Sequence, residues 1–317
     1  MNDFNGNAVV SACNLRKSFA SIEAIRGFDL KLYSGEMHGL IGPDGAGKTT
    51  LLRILCGLLV ADEGEVRVLG FDPVREQQRI KDSIGYMPQR FSLYPDLTVA
   101  ENMRFYADIY GVPKSERPQI TERLLKFSRL EPFTDRRAAA LSGGMKQKLA
   151  LSCTLIHRPE LLILDEPTTG VDPVSRGEFW DILRELRREG VTILVTTPYM
   201  DEASLCDRAT LMFQGQVLTE GTPDEITADF PHHIVRLYTG APQDAAEALK
   251  RDHDFTSVHL FGDRIHVVVQ NAAVGMKRIR KTLEDAHVPF STIEEAKPDL
   301  EDVFVFRAAR LRNDSKP

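Results

Sequence analysis

Gly42-Pro43-Asp44-Gly45-Ala46-Gly47-Lys48-Thr49 sets three glycines, a lysine and a hydroxyl in the spacing G-x-x-x-x-G-K-[ST]. The chemistry of such a loop is phosphate binding. Its glycines let backbone N–H groups turn inward onto phosphate oxygens, and the N-terminus of a following helix adds its positive end. Lys48 is the residue to reach the terminal phosphates, Thr49 offers a hydroxyl to Mg²⁺, and Thr50 carries the chain into the helix. A second pair, Asp165 and Glu166, closes the apolar run Leu161-Leu162-Ile163-Leu164. Carboxylates at the C-terminal end of a buried strand stand where ligands bind in open α/β sheets. Asp165 can hold Mg²⁺ through water there, and Glu166 can polarise an attacking water as general base. The two motifs together describe the chemistry of a phosphate-loop NTPase.

These groups meet only if strands and helices alternate around them. β-rich runs are expected at Ala8–Cys13, Glu36–Ile41, Glu65–Leu69, Leu161–Leu164, Val191–Thr196 and Ala209–Phe213. Helical patterns are expected at Lys48–Cys56, Thr98–Tyr110, Gly143–Ile156 and Val174–Glu189. Strands separated by helices imply crossover units and a mainly parallel sheet. Ala24–Leu32 reads as part of an antiparallel meander, so the central sheet is expected to be mixed. Past Phe230-Pro231 the order becomes strand (His233–Tyr238), helix (Pro242–Arg251), strands (Ser257–Phe261 and Arg264–Gln270), helix (Val274–His287) and strand (Pro289–Ile293), with a closing helix over Asp299–Arg307. A hairpin is expected at Gly262-Asp263 and a frayed tail over Asn313–Pro317. That β-α-β-β-α-β order predicts a small ferredoxin-like α+β domain over 232–317, after a nucleotide-binding domain over 1–231.

Leu141-Ser142-Gly143-Gly144-Met145-Lys146-Gln147 just before a helical pattern resembles the signature sequence of the ATP-binding cassette (ABC) family. Ser142 and the amides of Gly143 and Gly144 at a helix N-terminus make a second anion site, and Ser142 also suits an N-cap. The resemblance runs nearly continuously from Ala8 to about Thr222. It implies an α/β phosphate-loop cassette with a mixed central sheet and a helical signature subdomain. ATP and Mg²⁺ are then the implied cofactors. Ser142, Gly143, Gly144 and Gln147 would close on the γ-phosphate held by an opposite subunit. Phe19, in Lys17-Ser18-Phe19, would stack on adenine. Gln89, in Tyr86-Met87-Pro88-Gln89, would sense Mg²⁺ and the attacking water. Asp172, in Gly170-Val171-Asp172-Pro173, would belong to the D-loop that touches the other subunit. One position departs from the family pattern: Pro198, in Thr196-Thr197-Pro198-Tyr199, stands where a histidine usually contacts the γ-phosphate. Proline has neither a side-chain donor nor a backbone N–H. Weakened hydrolysis at this chain's own phosphate loop is therefore expected, unless Thr197 or Tyr199 substitutes.

The wording of these motifs, with Leu93-Tyr94-Pro95-Asp96-Leu97-Thr98, is most similar to the ATP-binding proteins of ABC-2 type exporters, including multidrug efflux ATPases. It is also similar to the first nucleotide-binding half of tandem bacterial efflux ATPases. Pro298-Asp299-Leu300-Glu301-Asp302-Val303-Phe304 resembles the ending of their accessory domain, a closing helix with Leu300, Val303 and Phe304 inward. The resemblance implies a membrane permease on a separate chain, a second nucleotide-binding subunit (identical or more complete), and a place on the cytoplasmic face of the bacterial inner membrane. Arg90–Asn102, with Phe91 and Tyr94, is the expected docking surface for the permease. The other readings are a soluble regulatory ABC ATPase and a binding-only cassette paired with an active one.

Composition fits this. Of 317 residues, 42% are hydrophobic and 27% charged, as in a soluble chain with a real core. Lys plus Arg is 40 against 46 Asp plus Glu, a net charge of −6, which argues against a nucleic-acid partner. No run approaches the roughly 18 apolar residues that span a bilayer. The start, Met1 to Gly6, has no signal-peptide pattern. Cys13, Cys56, Cys153 and Cys206 are far apart, so buried reduced thiols are expected rather than a zinc site.

Overall fold

The computed structural model describes residues 8–90, 93–252, 254–262 and 264–314. Met1 to Gly6, Phe91, and Asp263 of the expected hairpin lie outside the described residues. The chain divides into two compact units, Met1–Thr222 and Pro223–Pro317. The division falls before the expected residue 231 because the short helix Pro223–Ala228 packs on the closing helix Leu300–Asp314 of the second unit.

In the first unit the expected mixed sheet resolves into two sheets. Three antiparallel strands lie in the order Ile22–Tyr33, Ala8–Phe19, Glu63–Val68. A six-stranded sheet runs Ile84–Met87, Leu161–Asp165, Thr192–Thr197, Met37–Ile41, Arg208–Phe213, Gln216–Gly221. Its first five strands are parallel and the last is antiparallel. The apolar run at 161–164 serves two cores at once. Leu161 and Ile163 face a core with Val10, Phe28, Leu51 and Leu52, while Leu162 and Leu164 face one with Leu149, Phe179, Trp180 and Leu183. Burial on both faces is why this strand has no polar alternation. Helix Lys48–Leu55 fills the first core, and helices Val99–Ile109, Arg117–Ser128, Gly143–Leu155 and Pro173–Arg188 surround the second. The helix at Arg117–Ser128 and the strand at Ile84–Met87 were not legible beforehand. Among the described residues no helix is long and apolar enough to cross a membrane. Cys56, Cys153 and Cys206 are buried, but Cys13 is exposed, against expectation, next to the exposed Asn14 of strand Ala8–Phe19.

The second unit is a four-stranded antiparallel sheet ordered Ser257–Phe261, Arg264–Val269, His233–Tyr238, Thr292–Ala296. Helices Pro242–Lys250 and Ala272–Asp285 cover one face, with Val235, Leu237, Leu249, Ile265, Val267, Ile279 and Leu283 between. This is the ferredoxin-like arrangement, its first strand central and its fourth at the edge. The last strand forms at Thr292–Ala296, later than the expected Pro289–Ile293. Val288 and Phe290 instead pack on the core as part of the connection, and proline has no N–H for a ladder. The closing helix Leu300–Asp314 outruns the expected Asp299–Arg307 and takes in Asn313. Leu300 and Val303 are buried and Phe304 half-buried. Asp302 and His266, both fully buried, bond at 2.8 Å, and Arg236 donates to the other ring nitrogen at 3.2 Å.

Gly275 lets helix Ala272–Asp285 approach the sheet. A Cβ there would stand 2.8 Å from Cγ1 and 2.9 Å from Cβ of the β-branched Val269. Gly275→Ala should destabilise this unit by about 1–3 kcal/mol, despite alanine's better helix propensity. Faster hydrogen exchange over residues 264–285 in the variant is the measurement that checks it.

Candidate functional site

The parallel register brings three chain segments to one edge. Asp165 pairs with Thr196, and Ile41 pairs with Thr197. Directly beyond Ile41, the N–H of Gly42 donates to the carbonyl of Thr197 at 3.2 Å. The loop then turns through Gly45 (φ 79°) and Gly47 (φ 103°) into helix Lys48–Leu55. Gly47 is irreplaceable on two counts. Its φ is left-handed, and a Cβ would meet the Ala24 carbonyl oxygen at 2.5 Å. Gly42 is tighter still, with the Met212 carbonyl oxygen 2.3 Å from an added Cβ. The sequence pattern demanded small residues here, and close backbone approach is the physical reason.

Lys48 is buried and fully engaged. Its ammonium donates to the carbonyls of Gly42 (2.6 Å) and Pro43 (3.0 Å) and lies 3.0 Å from Glu166 Oε1. A triphosphate would have to replace those acceptors with its own oxygens. Glu166 Oε2 accepts from Gln89 Nε2 at 3.0 Å and from the Thr169 hydroxyl at 3.3 Å. Glu166 also has φ 50°, an uncommon left-handed conformation for a side chain of its size. Its N–H donates to Thr196 Oγ1 at 2.9 Å. Thr49 Oγ1 donates to Asp165 Oδ1 at 3.0 Å, and Thr196 Oγ1 lies 3.0 Å from the same atom. Burial pushes the Asp165 carboxyl above its ordinary pKa, opposed by the two threonine hydroxyls. Thr49, Asp165 and Gln89 thus present hard oxygen donors beside an incompletely compensated buried carboxylate, and that donor set fits Mg²⁺.

The signature residues form a second group. Ser142 caps helix Gly143–Leu155, accepting from the Met145 N–H at 3.3 Å, and is exposed with Gly143. Gly144 is buried because Ser175 stands where its Cβ would be, at 2.5 Å. Asp172 caps helix Pro173–Arg188 through the Ser175 N–H at 3.0 Å, a bond that lowers its carboxyl pKa. One turn along, Lys148 pairs with Glu178, so the two helices are joined near both N-termini. Gln147 and Gln89 share the lining of a cavity of about 400 Å³ with Arg90, Leu93 and Lys146. Phe19 is 47% exposed and pairs with Ile22 at the end of a hairpin, two residues before the Ala24 that overlies Gly47. Lys17 Nζ lies 5.6 Å from its ring centroid.

Pro198 follows strand Thr192–Thr197 directly, level with the start of the loop and one residue beyond the level of Glu166. Both neighbours make contacts of their own. The Thr197 hydroxyl donates to Glu202 and accepts from the Tyr199 N–H at 3.1 Å. The Tyr199 ring lies under the Arg176 guanidinium, 4.1 Å from its centroid.

Sequence reasoning missed Thr196, Thr168, Arg176 and Glu202. Thr196 joins the two acids, yet is separated from them by thirty residues that only the register closes. Thr196→Val keeps the shape and strands the Glu166 N–H. The expected loss is about 1–3 kcal/mol of stability, together with weaker Mg²⁺-dependent nucleotide binding. Denaturant unfolding and a nucleotide titration with and without Mg²⁺ measure the two effects.

Comparison with known proteins agrees with this geometry. The family profile "ABC transporter" matches residues 25–169. The chain is 40% identical over 314 residues to the probable multidrug ABC transporter ATP-binding protein YbhF of Escherichia coli, covering 96% of this chain. It spans 52% of that relative's length, about half. It is 38% identical over 244 residues to the Nod factor export ATP-binding protein I of a Rhizobium species, covering 76% of this chain and 80% of that one. Among solved structures, the dimeric ATP-binding cassette MJ0796 bound to ADP and Pi superposes with a TM-score of 0.61 at 27% identity, covering 67% of this chain and 98% of that one. From the phosphate loop to the signature helix, and along most of its length, this chain belongs to the family of ABC transporter ATP-binding proteins.

Proposed function

We propose that the chain is the ATP-hydrolysing motor subunit of an ABC-2 type exporter, with weakened hydrolysis at its own site. The observation that carries the motor reading is the meeting of five residues at one sheet edge: Lys48 and Gln89 on Glu166, and Thr49 on Asp165. Lys48 and the loop amides would bind the triphosphate, Phe19 would stack on the base, and Glu166 would take a proton from the attacking water. Thr49, Asp165 and Gln89 would hold Mg²⁺, which when bound neutralises phosphate charge. Ser142 and the amides of Gly143 and Gly144, with Gln147, would complete the site of a second subunit, and Asp172 would sit at the contact. Closure of such a pair on ATP would move the permease through the difference in affinity between closed and open states. The relatives' roles in multidrug transport and Nod factor export support an exporter on the cytoplasmic face of the membrane.

Weakened hydrolysis rests on Pro198 and on the engagement of its neighbours. Thr197 spends its one O–H on Glu202, so it has no donor for a phosphate. Tyr199 is stacked under Arg176. Pairing with a more complete subunit is therefore favoured over rescue by Thr197. Pro198→His should raise ATP turnover at least about tenfold, by analogy with other single transition-state donors. Steady-state phosphate release decides this; no gain would clear Pro198 as the defect.

The permease would dock at Arg90–Asn102. Tyr94 is 44% exposed and meets the edge of Phe105 at 4.4 Å between centroids. Its backbone is gripped by the fully buried Asn102, which accepts from the Tyr94 N–H at 2.9 Å and donates to its carbonyl at 3.1 Å. Tyr94→Ala should abolish stimulation of ATPase activity by co-reconstituted permease while the ATP Kd stays unchanged. Stimulation that survives the change would remove Tyr94 from the interface.

A further inference from the structure

Behind the edge that carries Pro198 stands a buried carboxylate that the proposed hydrolysis does not use. Glu202, 2% exposed, lies on the short helix Met200–Ala203 and gathers three segments. Thr168, two residues beyond Glu166, donates its hydroxyl to Oε1 at 3.0 Å, with Oε2 at 3.3 Å. Thr197, just before Pro198, donates to Oε2. Arg176, in the first turn of the helix capped by Asp172, donates Nε to Oε1 at 3.1 Å. Thr168 and Thr197 are buried, at 1% and 0% exposure. The same Arg176 covers the Tyr199 ring and bonds Asp201 at 3.3 Å.

The surroundings give this cluster a task beyond filling space. Glu166 enters its turn with a left-handed φ, and such a conformation persists only where neighbours over-determine it. The turn is closed by the Thr169 N–H on the Glu166 carbonyl at 3.2 Å, and Thr168 ties it to Glu202. A neutral group could accept the threonine hydroxyls equally well. A buried charge is needed only for the third partner, Arg176, whose planar guanidinium fixes direction as well as distance. Arg176 belongs to the helix that Gly144 and Lys148 join to the signature helix. Glu202 is thus the point where the turn after Glu166, the segment at Pro198 and the D-loop helix are held to one another.

We propose that Glu202, through Arg176, is a positioning residue for the nucleotide reaction: it locks the turn that aims Glu166 to the D-loop helix, so that occupancy of the phosphate loop is felt along Pro173–Arg188. The proposal rests on the ATP-site reading above.

The chain supplies its own reporter for the test. Its single tryptophan, Trp180, is buried one turn beyond Arg176 on the same helix. Full-length chain, Glu202→Gln, Arg176→Lys, Arg176→Gln and the Glu202→Gln/Arg176→Gln double variant are compared in three assays. These are binding of a fluorescent ATP analogue, Trp180 emission on addition of MgATP, and steady-state ATP turnover, with thermal unfolding to confirm that each variant is folded. Expected for Glu202→Gln are a Kd and KM within about twofold, loss of the Trp180 response, and kcat lowered about tenfold. The double variant should be no worse than the poorer single one, and Arg176→Lys, which keeps the charge, should retain more of the response than Arg176→Gln. A Trp180 response that persists in Glu202→Gln with binding intact overturns the proposal alone. So do multiplicative losses in the double variant. Absence of analogue binding by the unmodified chain overturns the site reading and this inference with it.

Discussion

The parallel pairing of Leu161–Asp165, Thr192–Thr197 and Met37–Ile41 is the constraint on which the rest depends. Apolar side chains on both faces hold these strands, and a slip of one residue would send each set to the wrong core. The polar groups of the site lie at the C-terminal ends, and they arrive together. Asp165 reaches Thr196, Ile41 reaches Thr197, and Gly42 finds the Thr197 carbonyl as its first acceptor. One hydroxyl, on Thr196, then contacts both acids, through the Glu166 backbone N–H and the Asp165 carboxylate. The site is a consequence of strands ending level.

That edge concentrates charge where water is scarce. Lys48 and Glu166 are 3% and 6% exposed at their side chains and lie 3.0 Å apart. A pair so buried is tolerated only when its remaining polar atoms are also satisfied. Here they are: two carbonyls take the ammonium, and Gln89 and Thr169 take the carboxylate. Among the described residues Asp165 has only hydroxyl partners within hydrogen-bond reach, and burial raises its pKa. The same low dielectric strengthens attraction between that carboxylate and a cation. The site is thus closed upon itself yet retains one acid whose desolvation a metal would offset.

Much of this was legible because it depends on local rules. The glycines of the loop, the apolar run ending in two acids, and the serine before Gly143 each follow from backbone approach or burial that leaves a fixed mark in sequence. Helix Val99–Ile109 has a local mark as well, the capping box that Thr98 and Glu101 form. Arg117–Ser128 was missed because its exposed faces are charged and its apolar residues few. The strand at Thr292–Ala296 was misplaced because Glu294 and Glu295 hide it, while apolar Val288 and Phe290 belong to the connection. Thr196, Arg176 and Glu202 left no mark at all. Their partners are distant in the chain, and a lone Glu in Met200-Asp201-Glu202-Ala203 looks like any solvated acid until the tertiary fold buries it.

Pro198 asks little of this structure. The strand is already complete at Thr197, whose carbonyl is taken by Gly42 and whose hydroxyl is flanked by Glu202 and the Tyr199 N–H. Among the described hydrogen bonds, none requires an N–H from residue 198. A proline there costs the fold no ladder bond, and what it removes is a side-chain donor. In a pair of cassettes the consequence is one-sided. Residues that would complete the partner's site, Ser142 to Gly144 and Asp172, stand on two helix N-termini packed through Gly144 on Ser175. None of them relies on the side chain at 198. The chain can therefore lose a donor at its own phosphate loop and keep the surface with which it would serve another, which is the division of labour that an unequal pair requires.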